Sequence, residues 1–518
     1  MQSLSSYLEG RWIEGAGPAA VLVNPSTEEP VAEIHAVASL GAAVAFARDR
    51  GGPALRALSF AERGQLLLGL SKLIHQSRDE LIDCALRNGG NTRQDAKFDI
   101  DGAIGALVHY AELGAKLGTA RVLADGEPDQ VGRSPRLVGR HLQVPRMGVA
   151  VFVNAFNFPA WGFAEKAACA LLAGMPVITK PATATALVAH RIFERIAEKQ
   201  ALPEATFQLL LGPVGDLFDH LDGQDVLAFT GSSGTGAKLK GDPRLVARNV
   251  RINLEADSLN AAVLGADAGP TSSTFKMMIA DVARDMTQKT GQKCTAIRRV
   301  MVPEDRLADV RDALSERLET VIVGNPASEQ VTMGPLATRE QLGDVRAGAG
   351  RLAAESKSVF GGDGAVEPVG APAGKGFFFG PVVFEYPSGS SSSLVHDLEV
   401  FGPVATLVPY DGSAAAAAAS VRRGQGGLVS SVYSDDRDLL TEMIAGIAPF
   451  HGRVFLGSEK IADKSAGPGT VPPQLVHGGP GRAGAGEELG GVRGMALYLQ
   501  RVALQGDRAV LDAITSKL

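Results

Sequence analysis

The strongest constraint on this chain is a rhythm that begins at Gly148. Val149-Ala150-Val151-Phe152-Val153 is a short continuous apolar run, the pattern of a strand buried on both faces. It ends in the loop Asn154-Ala155-Phe156-Asn157-Phe158-Pro159, and an alanine-rich helix follows from about Trp161 to Ala173. After Gly174 comes a second apolar run, Pro176-Val177-Ile178-Thr179, and then Lys180-Pro181. Strand, helix, strand at this spacing is a βαβ unit, which calls for a parallel sheet with both faces covered. Phe207 to Gly212 and Val226 to Phe229 continue the pattern. The fold class is therefore expected to be α/β. With 518 residues the chain exceeds one core and should hold two or three domains.

The flanking segments fit around that sheet. Tyr7 to Glu14 reads as a hairpin turning at Gly10. From Ser59 to Leu86 apolar residues recur at helical spacing, with Ser59 and Glu62 forming a capping box. Phe98 to Leu117 is a second helical stretch. Ala120 to Arg140 is polar and reads as an excursion from the main fold. Arg299 to Val302 and a helix from Asp305 to Val321 resume the α/β alternation, and Ala414 to Ala419 is helical. Ala496 to Leu504 reads as a strand and Asp507 to Lys517 as a terminal helix. A formal net charge of -6 gives no reason to expect nucleic acid. No stretch is apolar enough to span a bilayer, and no secretory signal is visible. Three cysteines without a C-x-x-C pair argue for a reducing compartment. Nine histidines show no metal-ligand spacing, so no metal is expected.

Chemistry concentrates at Thr290-Gly291-Gln292-Lys293-Cys294-Thr295-Ala296. Cys294 lies among small polar residues, with Lys289 and Lys293 upstream and Arg298-Arg299 after it. Partial exposure and nearby positive charge would favour the reactive thiolate; the plain alternative is a buried, inert thiol such as the one expected of Cys169 in its apolar run. Val226 to Phe229 leads into Thr230-Gly231-Ser232-Ser233-Gly234-Thr235-Gly236, a turn able to cradle a pyrophosphate at a helix start. Gly231, Ser233 and Gly236 match G-x-G-x-x-G except for the middle serine. Glu255, after Val250 to Leu254, then has two functional readings, ribose ligand or catalytic base, beside that of a solvated strand end. Glu399 and Phe401, at a turn before a strand, read plainly as a surface acid beside a core ring.

Taken together, Asn154 in Asn-Ala-Phe-Asn-Phe-Pro, Lys180-Pro181, Phe229-Thr230-Gly231-Ser232, Glu255 in Asn-Leu-Glu-Ala, Cys294 in Gly-Gln-Lys-Cys and Glu399-Val400-Phe401-Gly402-Pro403 resemble the aldehyde dehydrogenase superfamily across nearly the full chain. The tail His477-Gly478-Gly479-Pro480-Gly481-Arg482-Ala483-Gly484 and the Phe-Asn-Phe-Pro loop are similar to the branch that oxidises CoA-linked semialdehydes in aerobic aromatic-compound (phenylacetate and benzoate) degradation. The end at Leu518, without a following hydratase domain, points to a stand-alone member. The resemblance implies a Rossmann-like cofactor domain, an α/β catalytic domain and a small β oligomerisation segment. It divides the chain into 1–258 (with 120–145 in the oligomerisation segment), 259–480, and 481–518 returning to the cofactor domain and that segment.

The resemblance also assigns roles. Cys294 would be the nucleophile, Asn154 an oxyanion donor and Glu255 the base for thioester hydrolysis, which displaces its ribose reading. Glu488 matches a tail acid sometimes placed in a proton relay. Lys180, Thr183, Gly231, Ser232, Gly236, Glu399 and Phe401 would hold the cofactor, with Phe158 and His477 in the substrate funnel. His477 stands where the family often has Phe, and Ala256-Asp257-Ser258 where it commonly has Leu-Gly-Gly. Many NAD-preferring relatives carry Glu at the position of Thr183, so NADP is expected, with NAD use possible. Thr183 also reads as a helix N-cap. A small-molecule partner (a CoA thioester), a homodimer or dimer of dimers, and a cytoplasmic location complete the expectation; a general NAD-linked aldehyde dehydrogenase and a catalytically silent member are the alternatives.

Overall fold

The computed structural model describes residues 1–389 and 392–518. Two seven-stranded sheets organise the chain. In the first, the parallel strands run in the order Arg251–Glu255, Val226–Thr230, Ala150–Val153, Val177–Lys180 and Phe207–Leu209. The hairpin Ser6–Leu8/Arg11–Ile13 joins the free edge antiparallel, turning at Gly10 with φ of +74°. Every residue of Val226–Leu227–Ala228–Phe229 is buried, the reason these strands read as unbroken apolar runs.

The second sheet orders Lys357–Phe360, Val382–Glu385, Val404–Tyr410, Arg299–Pro303, Ala261–Leu264, Gly427–Tyr433 and His451–Gly457, parallel except for its first pair. The helix Ser273–Thr287 packs its methionines Met278 and Met286 into that sheet's core. A third, antiparallel sheet joins Leu499–Asp507, Leu137–Pro145 and Leu123–Gln130. The polar excursion after Ala120 is thus a ribbon, closed by the C-terminal strand over nine paired positions.

Two local readings shift. The stretch from Ser59 is two helices, Phe60–Gln76 and Arg78–Gly89, because Ser77 leaves helical geometry (φ −96°, ψ 8°) and ends one while starting the next. The capping box at Ser59 and Glu62 is present. The last strand begins at Leu499 rather than Ala496: the guanidinium of Arg251 donates to the carbonyls of Leu497 (2.8 Å) and Leu499 (2.9 Å), fixing a tight turn there.

Candidate active site

Parallel α/β sheets place ligands beyond the carboxyl ends of their strands. Register puts Lys180 beside Val153 and Glu255 beside Thr230, so Asn154, Lys180, Thr230 and Glu255 emerge along one edge of the first sheet. Cys294 reaches the same place from the loop between the helix Ser273–Thr287 and the strand Arg299–Pro303 of the second sheet. A cleft of about 500 Å³ brings Asn154, Phe158, Thr230, Glu255, Cys294 and His477 together.

The loop that carries Cys294 is held under strain. Lys289 and Thr290 sit at φ of +52° and +56°, costly for a β-branched threonine. Gly291, at φ +68°, passes so close to Gly402 that a Cβ would meet its carbonyl oxygen at 2.2 Å. Arg298 ties the two segments, donating to the carbonyls of Gly402 (2.8 Å) and Gly291 (2.9 Å). Asn260 Nδ2 donates to the carbonyls of Cys294 (2.8 Å) and Ala296 (2.9 Å).

The flanking cations do not activate the thiol as expected. Lys293 bonds Asp285 (2.7 Å) and Gln288 (2.8 Å), Lys289 lies 4.6 Å over the Phe158 ring, and Arg299 donates to the Leu259 carbonyl (2.7 Å) and meets His396 (2.9 Å). Burial first, and then the carboxylate of Glu255, push the Cys294 thiol up to about 11. The positive partner is instead His477, whose Nε2 lies 3.8 Å from Cys294 Sγ and 3.3 Å from Glu255 Oε1.

Glu255 is 3% exposed, which overturns the solvated-strand-end reading. Burial would raise its carboxyl, but His477 and Lys166 outweigh that and hold it low. Its Oε1 makes no well-directed hydrogen bond. Asn154 Nδ2 donates to Thr179 Oγ1 (2.9 Å), while its buried Oδ1 has no partner. A half-turn of that amide lets the threonine hydroxyl donate to Oδ1 and leaves the Nδ2 donor on the side that has no protein partner, free for an acceptor in the cleft.

Behind Glu255 lies a buried charge cluster. Lys166 Nζ is 3.0 Å from Glu488 Oε2 and 3.4 Å from Glu165 Oε1, and Asn253 Nδ2 donates to Glu488 Oε1 (3.2 Å). Burial raises Glu165 to about 7 and also raises Glu488, against the pull of Lys166. Sequence reading missed Glu165 and Lys166; two charges inside an otherwise apolar helix, Trp161–Ala173, were the available signal. Glu488 arrives on the hairpin Val476–Gly478/Glu487–Leu489, paired with His477. Gly484 (φ +103°) permits this approach, since a Cβ there would meet the Leu254 carbonyl oxygen at 2.4 Å.

A nicotinamide dinucleotide fits the residues on the other side of Glu255. Lys180 has no acidic partner among the described residues, and burial alone lowers it. Glu399 is no surface acid: its side chain is 11% exposed, raised to about 7 by burial despite Arg298, and its Oε1 is buried without a hydrogen-bond partner, ready for a hydroxyl donor. Phe401 packs edge-on to Phe156 (5.9 Å) beneath Arg298. Ser232 caps the helix Ser233–Lys240, whose Gly236 is buried, and the Gly231 amide donates to the Glu255 carbonyl (3.1 Å). Asp257, in the unusual Ala-Asp-Ser segment, accepts from the Ser233 amide (2.9 Å) and occupies part of this anion-favouring helix start. Thr183 is not a helix N-cap. It opens a tight turn, Thr183–Thr185, and the α-helix begins at Leu187 after Ala186, because Thr185 Oγ1 bonds back to the Phe156 carbonyl (2.8 Å).

The chain thus brings a cysteine and a carboxylate together in one cleft beside two α/β sheets. Residues 12–501 match the aldehyde dehydrogenase family, and the chain belongs to it. Over 478 residues it is 45% identical to a 3,4-dehydroadipyl-CoA semialdehyde dehydrogenase of Aromatoleum evansii, covering 92% of this chain and 93% of that one. Lactaldehyde dehydrogenase from Escherichia coli superposes with a TM-score of 0.83 at 24% identity, covering 97% and 99% of the two chains. A 3,6-anhydro-L-galactose dehydrogenase solved with NADP superposes at 0.84 with 21% identity, covering 97% and 100%. The aldehyde dehydrogenase fold anticipated from sequence is present.

Proposed function

We propose that the protein oxidises a CoA-linked semialdehyde of the 3,4-dehydroadipyl-CoA semialdehyde type to the carboxylate, with NADP, in aromatic-compound degradation. The observation that carries this reading is the meeting of Cys294, His477 and Glu255 beside Asn154 in one cleft. The 45% identical relative supports the substrate class. The cleft suits the aldehyde arm of such a substrate, while the far larger CoA moiety would stay outside, past Phe158.

Cys294, as thiolate, attacks the aldehyde carbon. The Asn154 amide in its turned orientation and the Cys294 backbone N–H, which has no acceptor among the described residues, stabilise the oxyanion. Lys180, Thr183, Gly231, Ser232, Gly236, Glu399 and Phe401 would hold a nicotinamide dinucleotide, which would supply the two-electron acceptor for the hydride on the carbon bound to Cys294. Cys294 is left as a thioester. Glu255 takes a proton from water, which attacks the thioester carbonyl and releases the carboxylate and Cys294. Lys166 and Glu488 keep exchangeable protons within reach of Glu255. Thr183, a neutral donor where a carboxylate would repel a 2′-phosphate, and the unpaired Lys180 support NADP. The three-stranded ribbon closed by the C-terminal strand is the segment we assign to assembly as a homodimer or dimer of dimers, and the free thiols suit the cytoplasm.

The test is steady-state kinetics with CoA-linked and free semialdehydes, each with NAD and NADP, on wild type and Cys294→Ala. The reading requires the highest kcat/KM for the CoA-linked substrate with NADP and no turnover in the variant. Equal use of free aldehydes, or turnover without Cys294, overturns it.

A further inference from the structure

His477 occupies a position that the reaction as drawn leaves idle. It is 4% exposed, yet its Nε2 faces both reacting side chains, at 3.8 Å from Cys294 Sγ and 3.3 Å from Glu255 Oε1. All three donor atoms lie within 4.8 Å of one another. A ring kept only to line a substrate channel has no need to present its polar edge to the nucleophile and the base at once. The backbone leaves it little choice of place: His477 is paired across the hairpin with Glu488, and Gly478 beside it sits at φ +138° with Gly486 packed against it.

We infer that His477 is a third catalytic residue, an imidazolium that forms an ion pair with the Glu255 carboxylate and directs its Nε2–H at Cys294 Sγ, holding the thiolate during attack. This rests on Cys294 being the nucleophile. In the resting arrangement Cys294 is a thiol, His477 is charged and Glu255 is a carboxylate in contact with both. To start the reaction the S–H bond breaks and its proton passes to Glu255, which gives it up towards the Lys166–Glu488 cluster before it acts as base on the hydrolytic water. The neutral carboxyl no longer competes for the imidazolium, so the contact of Nε2–H with Sγ tightens and holds the thiolate. The imidazolium neither gains nor loses a proton, and the cluster keeps its charge.

The surroundings favour a charged ring. Burial alone would lower His477, but Glu255 and Cys294 raise it well above its ordinary value. The other groups that face it are Glu488 across the hairpin and Glu165 on the helix Trp161–Ala173, whose negative charge Lys166 offsets. An internal proton transfer has a consequence that a packing role lacks. The thiolate fraction is set inside the cluster and does not follow bulk pH while the cluster keeps its protons.

The experiment is alkylation of the full-length enzyme by iodoacetamide from pH 7 to 9, with EDTA present because Cys, His and Glu also form a zinc-binding set. Wild type is compared with His477→Gln and His477→Phe, and Cys294→Ala gives the background from the buried Cys84 and Cys169. Wild type is expected to change less than about threefold across the range. Both variants are expected to react about tenfold or more slowly at pH 7, and to climb about tenfold per pH unit as an ordinary thiol does. Variant profiles that overlay wild type, or a wild-type rate that itself climbs tenfold per unit, overturn the inference. Failure of the underlying reading looks different: alkylation of Cys294 would leave turnover intact.

Discussion

Replacing Lys166 with methionine is the sharpest perturbation of the site's electrostatics. The ammonium lies 3.0 Å from Glu488 and 3.4 Å from Glu165, with side-chain exposures of 1%, 5% and 10%. At an effective dielectric near 20, Coulomb's law gives roughly 5 kcal/mol for each contact. Against this stands the cost of burying the ammonium, several kcal/mol. Removing the cation leaves two carboxylates, and Glu255 near them, uncompensated, so a loss of about 3–5 kcal/mol is expected at alkaline pH. With an unfolding entropy of roughly 2.1 cal/mol/K per residue, that is a fall in Tm of about 3–5 °C for a chain this long. The pH dependence carries the sign. Without Lys166 a carboxyl whose folded pKa is already raised goes higher still, so the folded variant holds a proton that the unfolded chain and the folded wild type release. Such a group stabilises below its unfolded pKa, and that stability is lost as pH rises through the folded one. In wild type Glu165 makes this transition near 7; in the variant it moves above that. Between pH 9 and 7 the deficit should therefore shrink by about 1.4 kcal/mol per unit for one proton. Scanning calorimetry of both proteins at pH 9 and 7 measures it. A deficit equal at the two pH values, or an unchanged Tm, would refute the charge argument.

Thr183→Glu should shift the ratio of kcat/KM for NADP over NAD towards NAD by about tenfold to a hundredfold, or 1–3 kcal/mol; an unchanged ratio contradicts the cofactor assignment. Asp257→Asn should lower KM for the dinucleotide by about fivefold, because it removes a negative charge bonded to the Ser233 amide at the helix start; a raised KM would mean that Asp257 shapes the loop instead. Gly484→Ala should cost about 1–3 kcal/mol and depress kcat, since the new Cβ meets the Leu254 carbonyl and pushes the tail off the strand bearing Glu255. Wild-type Tm and kcat in that variant would show that the tail can move without consequence.

What could be read from sequence follows from how local each signal is. The strands Ala150–Val153 and Val226–Thr230 announced themselves because burial on both faces leaves no polar alternation. The helix Trp161–Ala173 was bounded by its loop and by Gly174, which takes the left-handed conformation a helix end favours. Asn154, Glu255 and Cys294 were found by their motifs, and register then brought their strand ends and loop together. Glu165 and Lys166 were not legible, since their purpose depends on Glu488 far along the chain. His477 was legible as an oddity and not as a neighbour of Cys294: only the pairing of the tail hairpin, and its packing on Leu254, set the ring between Cys294 and Glu255. The cations beside Cys294 misled because the partners that engage them are set by the fold, as the Gly402 carbonyl is for Arg298 and the Leu259 carbonyl for Arg299.

The central claim is that Cys294 forms a covalent thioester and that its release depends on Glu255. Rapid mixing of Glu255→Gln with NADP and the CoA-linked semialdehyde measures this directly. The account requires a burst of reduced cofactor that is slowed, because the amide cannot take the Cys294 proton, yet still approaches one equivalent per active site, followed by steady-state turnover at least about a hundredfold slower than wild type. A variant that gives no burst, or one that turns over normally with only a weakened affinity for cofactor, would contradict it.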